Sequence, residues 1–351
     1  MADTLRQCQH LIRYAHWAYK NDDGTEFRSM TPELRGDVRY RKLHITTPFL
    51  KHVLQYLAPN THVHLGIRGC DTIVIAFRGT DFPFTTENLV NPKRWWGFWG
   101  NVFTDLAFQM TPVGWLSDQD VTGGDADAPL VHEGFLEAFE DLIEGEPNRL
   151  RSAILGLTDG SPPQRIEVCG HSLGGALATL CALWCRRQWP KAKLVCVTLG
   201  SPRVGNTAFA RRFNDAGILC YRLVMQGDPI PTIPDRFSQA IPLKLPQAPC
   251  IRNCPSPQRY YHVGVPLLLH SAANAVDFNV ERPDIRAEEM AGPLPRYVTL
   301  PYKLGGFLPY WLVRGLRMAP LIWSYHNPNL YETTVQRILE AEAARVEADV
   351  T

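Results

Sequence analysis

The chain has 351 residues, 45% hydrophobic and 20% charged, with a formal net charge of +1 and an isoelectric point near 7.6. That composition suits one large α/β domain spanning 1–351, excludes a disordered chain, and gives no electrostatic grip on nucleic acid. No stretch reaches the roughly 18 consecutive apolar residues of a membrane-spanning helix.

The opening MADTLRQCQHLIRYAHWAYK has no charged-then-apolar block with a small-residue cleavage site, so no secretory signal is expected. Its apolar positions Leu5, Cys8, Leu11, Ile12, Ala15, Ala18 and Tyr19 fall at helical spacing, predicting an amphipathic helix that ends before Asn21-Asp22-Asp23-Gly24. Thr72 to Phe77 (TIVIAF) is short, β-branched and apolar, as a buried strand is. Residues 81–104 are rich in aromatic side chains (Phe82, Phe84, Trp95, Trp96, Phe98, Trp99, Phe103), and 117–129 read as an acidic surface loop. Asp118, Asp120, Asp125 and Asp127 lack the spacing of a calcium loop, which favours a solvated loop.

A regular alternation follows. Helices are predicted over about 134–143 and 147–156, a strand over 165–169, a helix over 173–188, a strand over 193–198, a helix over 206–216 and a strand over 218–224. Such alternation implies a mostly parallel sheet with helices on both faces. The Pro-dense stretch from Pro229 to Pro266 predicts irregular loops, and 235–325 reads as a loop-rich extension within the domain. Phe307 to Trp323 is apolar but broken by Arg314, Arg317 and Pro320, which fits a buried segment or one lying along a membrane surface. An amphipathic helix over 331–346 closes the chain.

The nine cysteines are an odd count without a signal peptide, which favours a reducing compartment and hence a cytoplasmic or peripheral-membrane location. Cys169, Cys181, Cys185, Cys196 and Cys220 lie in apolar runs, where a free thiol acts as a small hydrophobe. Cys250 and Cys254 could form a local disulfide or half a metal site. No partner His/Cys pair has ligand spacing, so no metal is expected.

The chemistry centres on Val168-Cys169-Gly170-His171-Ser172-Leu173-Gly174-Gly175-Ala176. A G-x-S-x-G sequence between a strand and a helix is a nucleophile elbow, the device by which the α/β-hydrolase fold presents a serine at the C-terminal edge of its sheet. The turn is tight, so Gly170 and Gly174 let strand and helix approach. A serine needs a base, and the base needs an orienting acid, in the chain order Ser, acid, His. Asp228 follows the predicted strand 218–224 and is the leading acid, with Asp235 the weaker competitor. His262, His270 and His326 are the histidines that follow; spacing alone leaves all three open, with a modest preference for His326 in the loop before the last helix. The residue after the nucleophile, Leu173, offers one backbone N–H to an oxyanion hole.

The chain resembles the class 3 lipases, the family of Rhizomucor-type fungal triacylglycerol lipases. The matching pieces run in order: IVIAFRGT (73–80), TDL (104–106), VHEGF (131–135), GHSLGGALA (170–178), TLGSPRVGN (198–206), GDPIPTIP (227–234), YHVG (261–264) and His326-x4-Tyr331. The resemblance implies Ser172 as nucleophile, Asp228 as acid and His326 as base, with His262 and His171 outside the triad. It implies Thr80 as the second oxyanion donor, steadied by Asp105, and residues 81–104 as a lid, against which stands the plainer reading of an aromatic core flap. It implies a lipase acting on acylglycerols without a cofactor and contacting membrane or lipid-droplet surfaces transiently. A phospholipase or galactolipase of the A1 type, a short-chain or polyester esterase, and a catalytically silent lipid-binding protein are the alternatives.

Overall fold

The computed structural model describes residues 2–20, 25–30, 39–45, 62–69, 71–79, 110–116, 128–144, 149–228, 230–234, 260–270, 275–278 and 325–350. Ten strands are described: β1 (Tyr40–His44), β2 (His62–Arg68), β3 (Thr72–Phe77), β4 (Met110–Pro112), β5 (Leu130–His132), β6 (Arg165–His171), β7 (Lys193–Leu199), β8 (Leu219–Met225), β9 (Val265–His270) and β10 (Ala275–Phe278). The helices are α1 (Ala2–Trp17), α2 (Thr25–Ser29), α3 (Glu133–Ile143), α4 (Arg149–Leu157), α5 (Leu173–Gln188), α6 (Thr207–Asp215) and α7 (Pro328–Val350).

Eight strands form one sheet in the order β1-β2-β3-β6-β7-β8-β9-β10, while β4 and β5 pair separately. The sheet is parallel from β3 through β9 and antiparallel at both margins. Its middle is built from runs such as TIVIAF, whose six residues are all buried. Burial of both faces demands this, because alternation would expose one side.

Side-chain contacts place helices on both faces. On β6, Glu167, Cys169 and His171 share one face by strand alternation. His10 and Tyr19, on and just after α1, hydrogen-bond Glu167 and His171 on that face. Cys196 pairs in register with Val168, which puts it on the opposite face, where its thiol approaches the carbonyl of Ala178 in α5 at 3.9 Å. Glu167 is fully buried and accepts from His10 Nε2 (2.7 Å), Arg68 Nη2 (2.8 and 2.9 Å) and Arg165 Nε (2.9 Å). Burial alone would raise its pKa, but the bonds from His10 and Arg68 outweigh that and hold it down at about 2. This cluster fastens α1, β2 and β6 together at the end of the sheet away from Ser172. α1 is also tied to α7 by an ion pair between His16 and Glu332.

Strands β1 and β2 were not signalled by apolar periodicity. The reason lies in His62 and His64, which are buried in β2, bonded to each other at 2.8 Å and, through His64, to Tyr40 Oη at 2.5 Å. Polar side chains satisfied internally erase the pattern that marks a buried strand. Within the stretch read as loop-rich, residues 265–270 and 275–278 are strands, and Pro266 lies in β9 opposite Arg222. The segment 81–104, expected to be a lid, and the segment 307–323 lie outside the described residues.

Candidate active site

The parallel strands end together at one edge, and the described candidate residues lie there. Ser172 stands between β6 and α5 with φ 58° and ψ −128°. This left-handed value is costly for a residue with a Cβ, of the order of 1–3 kcal/mol, and marks a conformation imposed by its surroundings. The amide of Ser172 donates to Leu199 O at 2.9 Å, pinning the turn to the end of β7.

Gly170 and Gly174 make the turn sterically feasible. A Cβ on Gly170 would strike the carbonyl of Gly174, and one on Gly174 would strike Phe77 O and come within 3.0 Å of Gly79 N. The first turn of α5 therefore lies directly against the end of β3. Leu173 opens α5, where an N–H lacks an intrahelical acceptor and the helix dipole favours negative charge. Residues 78–79, which abut the elbow, lead to Thr80; Thr80 itself and Asp105 lie outside the described residues.

Asp228 follows β8 and is 1% exposed. Its Oδ1 accepts from Ile230 N at 2.9 Å. Its Oδ2 accepts from Tyr331 Oη at 2.6 Å and lies 2.8 Å from His326 Nδ1. Three donors compensate a carboxylate removed from water. His326 is fully buried in the loop just before α7, whose start is set by Asn327, its side chain accepting from Asn329 N at 2.9 Å, with Pro328 at the first helical position. The His326 ring lies 4.4 Å, centroid to centroid, from that of His171, the residue before Ser172. The structure thus brings Asp228 and His326 into a hydrogen bond and sets both beside the elbow.

The other histidines have different partners. His262 Nε2 bonds Pro231 O at 2.8 Å and so props the loop after Asp228, which Arg203 also grips through Pro234 O at 2.7 Å. His270 Nδ1 lies 2.9 Å from Gln226 Oε1. Asp235, Cys250 and Cys254 lie outside the described residues.

Two residues that sequence reasoning left without a role belong to the site. Tyr331 Oη donates to Asp228 and accepts from Met225 N at 3.0 Å. Burial, and then the Asp228 carboxylate, push its pKa far up, so it stays a neutral donor. Its signal was the five-residue step from His326, which carries Tyr331 one helical turn into α7. Gly200 has φ 54°, and a Cβ there would lie 2.6 Å from Asp228 Oδ2 and 2.9 Å from His326 Nδ1. A side chain at the end of β7 would displace the Asp–His pair. Nothing in a lone Gly-Ser-Pro sequence announces that.

Comparison with known proteins agrees with this architecture. Residues 74–238 match the family described as Lipase (class 3). A secreted mono- and diacylglycerol lipase of Fusarium solani is 38% identical over 104 residues, 30% of this chain and 29% of that protein. A lipase of Rhizomucor miehei is 37% identical over 107 residues, 30% of this chain and 28% of its own length. A chloroplastic phospholipase A(1) of Arabidopsis thaliana is 32% identical over 114 residues, 32% of this chain and 26% of its own. The chain therefore spans less than a third of the length of these relatives. The solved structure of a fungal lipase–inhibitor complex superposes with a TM-score of 0.55 at 20% identity, covering 88% of this chain and 92% of that one. Lipase II of Rhizopus niveus gives 0.53 at 20% identity, covering 80% and 86%. These two likenesses establish the α/β-hydrolase fold. Over residues 74–238, which take in most of β3, the elbow and the Asp228 loop, the chain is similar to the class 3 lipase family.

Proposed function

We propose that this protein hydrolyses carboxylic esters of acylglycerols by two-step acyl transfer. The observation that carries the reading is the buried Asp228–His326 hydrogen bond set beside a serine held at positive φ on a strand–helix elbow. In this reading Ser172 Oγ attacks the ester carbonyl carbon as His326 Nε2 takes its proton. Asp228 keeps the imidazole in the tautomer with a proton on Nδ1 and steadies the imidazolium. The backbone N–H groups of Leu173 and Thr80 face the oxyanion, and Asp105 holds the Thr80 loop. The tetrahedral intermediate collapses, the alcohol leaves with the proton from His326, and an acyl-serine remains. Water, deprotonated by His326, attacks that acyl group, and Ser172 recovers its proton as the acid departs.

Residues 81–104 act in this reading as a lid whose tryptophans bind the membrane or lipid-droplet surface when it opens. The match to the class 3 lipase family over residues 74–238 and the aromatic composition support it. A phospholipase A1 activity is the second reading, favoured by the match to a plant phospholipase A(1). Six described cysteines are free and buried, which supports a reducing, cytoplasmic or peripheral-membrane setting. Turnover of a triacylglycerol, a diacylglycerol, a phosphatidylcholine and a short p-nitrophenyl ester, compared at equal enzyme, tests the reading. Preference for the acylglycerols is expected, and preference for the phospholipid would favour the second reading. Reaction with the p-nitrophenyl ester alone would make the protein a short-chain esterase, and no turnover would favour a silent lipid-binding role.

A further inference from the structure

His171, next to the nucleophile, is 1% exposed, and its ring lies 4.4 Å from that of His326 with the planes inclined by 32°. Burial, and then the proximity of His326 and His16, hold its pKa well below the ordinary histidine value, so it is neutral. Its Nδ1 is 2.9 Å from the phenol oxygen of Tyr19, and the same oxygen lies 3.4 Å from the carbonyl of His171. Both contacts are satisfied together when Nδ1–H donates to the phenol oxygen and the phenol O–H donates to the carbonyl. The arrangement leaves Nε2, buried and without a partner among the described residues, as a bare lone pair, which is less costly than a buried N–H with no acceptor.

Tyr19 also bridges to the neighbouring loop. Its ring lies under the guanidinium of Arg78 at 5.9 Å. A Cβ on Gly79 would strike the Tyr19 hydroxyl while lying 3.3 Å from Ser172 Cβ. The end of the first helical segment is thus wedged between the elbow and the strand that leads to Thr80.

We propose that Tyr19 and His171 are a positioning pair for the base: Tyr19 locks the ring of His171, and His171 presents a neutral π face against which His326 becomes imidazolium. This rests on the ester-hydrolase reading above. A cation gains over a neutral aromatic face, and the gain appears only when His326 carries the proton from Ser172. A second charged histidine at that distance would oppose the same step, so the neutrality of His171 is part of the arrangement. Among the described residues, the ionisable groups around His326 include Asp228 after β8, Tyr331 on α7 through Asp228, His171 on β6 and, beyond it, the His16–Glu332 pair between α1 and α7.

The test compares Tyr19→Phe, His171→Leu and His171→Phe in the full chain. Turnover of a soluble short-chain p-nitrophenyl ester is followed across pH, and thermal unfolding is measured alongside. For His171→Leu, kcat should fall about threefold to tenfold with KM unchanged. The acid limb of kcat/KM should move to lower pH by roughly half a unit or more, because the imidazolium loses its face. His171→Phe, which restores a π face, should recover most of that loss. Tyr19→Phe should shift both quantities the same way by less, and carries the test alone if the His171 variants do not fold. Wild-type turnover with all variants matching it in kcat and acid limb would overturn the proposal, as would equal behaviour of the Leu and Phe variants. A wild type that neither turns over the ester nor reacts with a fluorophosphonate would remove the reading beneath it, and the proposal with it.

Discussion

Glu167 offers a quantitative check on how the scaffold is held. Its carboxylate is fully buried, bonded to His10, Arg68 and Arg165, and sits at about 2 rather than its ordinary 4.5. A depression of that size is worth about 3 kcal/mol at neutral pH, at roughly 1.4 kcal/mol per unit. Because the folded value lies below the unfolded one, the contribution is complete above the unfolded pKa and is lost as pH falls through the folded one. Glu167→Gln keeps the shape and removes the charge. Urea unfolding of both forms between pH 7 and pH 3 should therefore show a gap of about 3 kcal/mol at pH 7, steady to about pH 5. By pH 3 roughly 2 kcal/mol of it should be gone. Arg68 and Arg165 are about a third exposed and turn to water in the variant, so they add little to the gap. Stability curves that run parallel across this range would refute the idea that the cluster acts through a charged Glu167.

Gly170→Ala places a methyl group against Gly174 backbone and 2.9 Å from Gly175 N, with no flexible side chain to give way. It should lower stability by about 1–3 kcal/mol or more and abolish turnover, as read by thermal unfolding and ester hydrolysis. Tyr331→Phe removes a donor to Asp228 and strands Met225 N, so about 2–4 kcal/mol of stability and at least tenfold in kcat should be lost, with KM little changed. Replacing Trp95, Trp96 and Trp99 with Ser should weaken vesicle binding and emulsion hydrolysis while sparing a soluble ester. Equal losses on both substrates would make residues 81–104 a structural flap.

The site was legible in the sequence where backbone chemistry leaves a mark. Ser172 needs flanking glycines, and the strand and helix around it fall at 165–171 and 173–188, close to their expected bounds. Asp228 was recognisable as an acidic residue just past the predicted strand 218–224, and it is bonded to the histidine that the resemblance singled out. Spacing could not choose among His262, His270 and His326, because that choice depends on which strand ends converge. β9 carries His270 to Gln226, and the loop before β9 turns His262 onto Pro231. Tyr19 read only as part of an apolar helical stripe, since a phenol serves equally as a core side chain and as a donor. β2 was hidden for the opposite reason, its buried histidines making a core strand look polar.

The proposed hydrolysis requires Ser172 as the activated nucleophile, and fluorophosphonate labelling with peptide mapping tests that most directly. The expected result is a single modified residue, Ser172, with labelling abolished by Ser172→Ala, strongly slowed by His326→Ala, and ester turnover in the Ser172 variant down by roughly 10⁶-fold. Label on a different residue, or turnover that survives Ser172→Ala, would contradict it.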